Sequence, residues 1–96
     1  MDRKTWTVDV EGAQHLVALD WTYYGGHRRV SVDHEVVADS TVTARWRSEQ
    51  TVDIDGHRVV VRTRPARRLS PYFVIELELD GRPVAANPGR KGGWEA

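Results

Sequence analysis

Four histidines stand in 96 residues, and two of them occupy matching places in two similar stretches, TVDVEGAQHLVAL (7–19) and TVDIDGHRVVV (51–61). That raises the question of a metal centre. A zinc site wants three or four converging ligands, and a chain without cysteine offers no thiolate. His15 and His57 share an inward face with Val17/Leu19 and Val59/Val61. Two core-edge imidazoles, each hydrogen-bonded to backbone and capping an apolar row, account for the pattern more simply. His27 and His34 read as solvent-facing. Neither a metal nor any other cofactor is expected.

Two loops carry residue types suited to contact. WTYYGGHRR (21–29) sets aromatics before a double glycine and arginines after it. Tyrosine and arginine offer large contact area with few rotors and a polar end, so Tyr23, Tyr24 and Arg28 are candidate binding residues. Trp21 follows the inward alternation and belongs to the core. The plainer reading of the tyrosines is that they cover an open end of the fold. The second loop, RTRPARRLSPY (62–72), adds Arg64, Arg67 and Arg68, able to grip a carboxylate-rich or phosphate-bearing partner. Its plainer reading is a solvated loop neutralised by Glu76, Glu78 and Asp80.

Catalysis finds no foothold. There is no GxSxG elbow, P-loop or HExxH, and the carboxylates pair at i, i+2 as Asp9/Glu11, Asp53/Asp55 and Glu76/Glu78. On a wet strand face such pairs promote solubility and blunt edge-to-edge pairing. No catalytic residues are assigned. The formal net charge is +0, which argues against nucleic acid or an anionic membrane as partner. The start, MDRKTWTVDVEG, has no apolar run of signal-peptide length, and without cysteine a reducing cytoplasm is expected.

The elements that must position these residues are strands. Trp6, Val8 and Val10 alternate with polar residues, as do Val17, Leu19 and Trp21, then Val30 and Val32, then Phe73, Ile75, Leu77 and Leu79. No helical stripe appears. Asp55-Gly56 and Asp80-Gly81 suit two-residue hairpin turns with positive φ, and Asp33-His34 takes the equivalent place in the first half. There His34 must hold a backbone angle that costs a histidine about 1 kcal/mol. Aligning the two stretches sets Val8 and Val10 against Val52 and Ile54, and His15, Val17 and Leu19 against His57, Val59 and Val61. Two extra residues, Ala13 and Gln14, then fall in the first turn. The expected fold is all-β: a sandwich of two antiparallel sheets, about eight strands, built by duplicating a four-strand unit (4–40 and 41–86). Residues 87–96 read as a flexible tail, with Trp94 able to dock back.

In order and spacing, Trp6, His15, GGHRRVSVD (25–33) and PYFVIELELDGRPV (71–84) resemble the Fas apoptotic inhibitory molecule family. The resemblance covers nearly the whole chain and one of the two similar domains those proteins carry. His34 departs from the family's usual glycine, and 43–56 is shorter than its counterpart. The resemblance implies a β-sandwich and a non-enzymatic protein acting through other proteins, with stress protection or suppression of aggregation as the transferable role. It supplies no catalytic residues. The rival expectation is a module binding a small ligand, a carbohydrate or phosphorylated metabolite, through Tyr23, Tyr24, Arg28 and Arg67. A monomer or weak edge-strand homodimer is expected.

Overall fold

A computed structural model describes residues 2–22, 26–41, 47–68, 72–89 and 95. Alternating sequences become strands in the expected number: β1 (Asp2–Val10), β2 (Ala13–Trp21), β3 (His27–Val32) and β4 (Glu35–Thr41), then β5 (Ser48–Ile54), β6 (His57–Pro65), β7 (Phe73–Leu79) and β8 (Arg82–Val84). Each set of four forms one antiparallel sheet in sequence order, β1-β2-β3-β4 and β5-β6-β7-β8. Four two-residue turns join the hairpins. Each has two successive positive φ angles: Glu11-Gly12, Asp33-His34, Asp55-Gly56 and Asp80-Gly81. That geometry matches the right-handed twist of the flanking strands. His34, with φ 70°, takes the position glycine holds in the other three.

The two sheets are copies, and the strand registers show how residues correspond. Trp6 pairs with Val17 and Val8 with His15, while Val52 pairs with Val59 and Ile54 with His57. Trp6 and Val8 are therefore the counterparts of Val52 and Ile54. This corrects the alignment drawn from sequence, which matched Val8 and Val10 to them. The extra length is not a wider turn holding Ala13 and Gln14. The first hairpin is longer by two residues on each strand, because a two-residue turn keeps pairing tight and only a longer ladder absorbs the insertion.

Beyond the turns the copies run in parallel. Leu19 and Val30 face each other in the first sheet, Val61 and Leu77 in the second. The bulky leucine lies on β2 in one copy and on β7 in the other, which lets the layers interdigitate at constant volume. All four are essentially inaccessible and belong to one cluster with Trp6, Val8, Trp21, Phe73 and Ile75, drawn from both sheets. Trp21 and Phe73 meet edge to face at 5.9 Å across the sandwich. A lone sheet would leave this apolar face in water, so each copy supplies the other's cover.

The flanks close by the same approximate twofold. Lys4 on β1 reaches across to the carbonyl of Ile75 (3.4 Å), and its counterpart Gln50 on β5 reaches the carbonyl of Arg28 (3.4 Å). The β1 edge is further covered by the chain after β8. The Asn87 amide donates to the Thr5 carbonyl (2.8 Å), and buried Glu95 pairs with Lys4 and bridges Phe73. Within 87–96, Asn87 and Glu95 are thus held to the body, while 90–94 and 96, Trp94 among them, lie outside the described residues.

Candidate functional site

The outer faces absorb much of the charge. On the first sheet Arg3, Asp20, Arg29 and Asp39 lie opposite one another across four strands; Arg3 clasps Asp20 at 2.7 and 3.1 Å, and Arg29 meets Asp39 at 3.2 Å. His27 also pairs with Asp39, and this bond holds the Asp39 carboxyl below its ordinary value. On the second sheet Arg62 binds Glu78 and Glu49, and Arg64 binds Glu76 at 2.6 Å. Alternating cross-strand charges of this kind stabilise sheets modestly and keep both faces wet.

This fixes the places of the sequence-predicted binding residues. Arg64 is committed to Glu76 on the outer face. Arg67 and Arg68 are exposed in the 66–72 connection, where the Ala66 amide closes onto the Tyr72 carbonyl (2.9 Å). Arg28 points inward and is buried, with its guanidinium 5.9 Å from the centre of the Phe73 ring. Tyr23 and Tyr24 lie outside the described residues. Arg28 and Arg64 thus sit on opposite sides of a sheet layer and do not form one patch.

His15 and His57 lie at the other end, beside the hairpin turns, and their partners differ from expectation. Backbone was the expected partner; side-chain carboxylates are the observed one. His15 Nδ1 lies 2.7 Å from an Asp33 oxygen whose twin accepts the Leu16 amide at 2.9 Å. His57 Nδ1 lies 2.6 Å from Asp80, whose other oxygen accepts the Arg58 amide at 3.1 Å. A carboxylate can only accept here, so each Nδ1 carries its proton. Each Nε2 then faces the turn of the opposite sheet: His15 toward Asp55 at 3.9 Å, His57 toward Glu11 at 4.0 Å. Asp80 raises the His57 pKa by its hydrogen bond, and that bond in turn lowers Asp80. Asp33 is lowered first by the Leu16 amide and then by His15. Duplication of the histidine was legible in the sequence. Its carboxylate partner was not, because Asp33 and Asp80 are near it only after the strands pair. Among the described residues no group of three or more such side chains converges as a metal site would.

One feature escaped sequence reading altogether. The pairing of β3 with β4 shifts between Val30 and Ser31: Val30 opposes Ala38, Ser31 opposes Val36, and Val37 has no partner. This is a bulge with Val37 as the extra residue. Two neighbouring side chains are consequently at the surface, Val36 at 51% and Val37 at 45% exposure, on an edge strand of seven residues. The other edges are blunted. The tail covers β1, β8 has three residues including Pro83, and β5 carries Glu49 and Asp53 along its exposed side. Among the described residues, no segment other than β3 makes a backbone hydrogen bond to β4.

Comparison of the chain with known protein families, with curated proteins and with solved structures finds no match.

Proposed function

We propose that this chain is a non-enzymatic, cytosolic interaction module that engages other proteins by accepting an extended segment along β4. The carrying observation is the pair Val36 and Val37, successive exposed residues on an edge whose outer backbone groups are unpaired by any other described segment, Val36 beside Ser31 and Arg29 and Val37 beside Val32 and Ile54. Strand addition draws affinity from main-chain hydrogen bonds and selectivity from the side chains beside them. An edge with two valines favours apolar, β-prone segments, the kind an unfolding protein exposes. Suppression of aggregation under stress follows as the role, in keeping with the family resemblance. Glu35 and Asp39 flank the valines and disfavour open-ended self-pairing, although a weak homodimer remains compatible with the edge.

The test is light scattering of a thermolabile enzyme heated with an equimolar amount of this protein. Scattering should fall by half or more. Val37→Lys, a charge placed at the bulge, should keep the melting temperature within a degree or two and abolish the protection. Unchanged scattering with the natural chain, or full protection by Val37→Lys, would contradict the proposal.

A further inference from the structure

The internal duplication supplies a comparison for the core rows, and one cross-strand pair puts a charge where its twin has none. Trp21 and Arg28 are cross-strand partners in the last inward-facing row at the 22–26 end of the first sheet. Their counterparts are Thr63 and Ile75. Backbone geometry agrees between the copies there, since the Arg28 and Ile75 carbonyls receive the equivalent donors Gln50 and Lys4. An aliphatic side chain therefore suffices for packing at this place, and Ile75 is 4% exposed. Arg28, at 1%, is buried as deeply and carries a charge.

Its hydrogen bonds do not account for that charge. Nη1 donates to the carbonyls of His27 (3.0 Å) and Thr22 (3.5 Å), while Nε–H finds no acceptor. The indole Nε1–H of neighbouring Trp21 is also buried without an acceptor. Among the described residues no carboxylate pairs with Arg28, and burial pushes its pKa down. An uncompensated buried cation is destabilising, and so is each orphaned donor beside it. The two unsatisfied N–H groups, one cationic, belong to cross-strand partners whose indole ring and guanidinium each lie 5.9 Å from the centre of the Phe73 ring, in a place where the twin copy manages with isoleucine and threonine.

We propose that Trp21 and Arg28 anchor a carboxylate-bearing ligand at this end of the sandwich. One positive charge calls for one negative charge, and two N–H donors suit the two oxygens of a carboxylate. The flanking rings of Trp21 and Phe73 favour an apolar or aromatic remainder on that ligand. This site is separate from the β4 edge and stands or falls independently of strand addition.

The experiment follows the Trp21 indole N–H and the Arg28 Nε–H by NMR in the full chain. Acetate, benzoate, inorganic phosphate and chloride are titrated at constant ionic strength, with the Trp6 indole as internal control. Acetate and benzoate should shift both signals together and saturably, benzoate at a several-fold lower concentration, while chloride leaves them in place. Arg28→Ile, which copies the twin, should fold, melt at a higher temperature than the natural chain without ligand, and lose the response. Should that variant not fold, Trp21→Phe, which removes the indole donor and keeps an aromatic ring, should raise the benzoate midpoint several-fold. A response to phosphate and not to carboxylates would overturn the ligand class. No response to any anion, with both N–H groups exchanging with a bound water, would overturn the site.

Discussion

Asp33 and Asp80 each bind a histidine with one oxygen and a backbone amide with the other, so each tethers strand and turn through a single side chain. The consequence for pH has a definite sign. Both aspartates lie below their ordinary value of 3.8 in the folded chain, so their contribution is present above that value and is lost as pH falls through the lowered pKa. His57 lies above its ordinary 6.5, so its contribution is complete below 6.5 and is lost as pH rises through the raised pKa. The two windows overlap in mildly acidic to near-neutral solution. Melting temperature against pH should therefore decline on both sides of that range, and Asp80→Asn should flatten the alkaline decline that belongs to His57. An alkaline limb unchanged in Asp80→Asn would show that the pair is not its source. At this scale the sequence disclosed residue types and their duplication, since His15 and His57 repeat in register. Partners across strands, and the burial of Arg28 in a loop-like run of arginines, depend on pairing that no local pattern encodes.

At the scale of elements, the strands and three of the four two-residue turns were legible because period-two alternation and acidic-glycine dipeptides are local signals with local causes. Asp33-His34 illustrates the reasoning. Its place between Val32 and Glu35 required positive φ at His34 whatever the residue, and φ is 70° there. His34→Gly should stabilise the chain by about 0.5–1 kcal/mol, because relief of the left-handed strain exceeds the entropy glycine adds to the unfolded state. Denaturant unfolding measures this through a higher midpoint at unchanged slope. A lower midpoint would mean that the His34 ring supplies something its exposed position does not suggest. The bulge in β4 was not legible. EVVADST (35–41) carries no glycine to mark an insertion, and an extra residue becomes visible only when β3 counts against it. The longer first hairpin was misplaced for a related reason: sequence showed that residues were added, and only register showed that both strands shared them.

For the molecule as a whole, the approximate twofold lets each copy bury the other's apolar face and also locates the departures from symmetry. Matching rows bury one another, matching edge residues cross to matching carbonyls, and matching histidines reach opposite turns. Two differences between the copies are then informative: a bulged, seven-residue edge where the twin has three residues, and Trp21 with Arg28 where the twin has Thr63 with Ile75. Structural demands are met by the shared features, so function is best sought in the unshared ones. The interaction role rests on the first of these, and amide hydrogen exchange of the full chain, alone and with an equimolar heat-unfolding enzyme, tests it most directly. Exchange across 35–41 should slow several-fold in the mixture while β8 stays as it was. Slowing confined to another surface, or none at all, would contradict strand addition at β4.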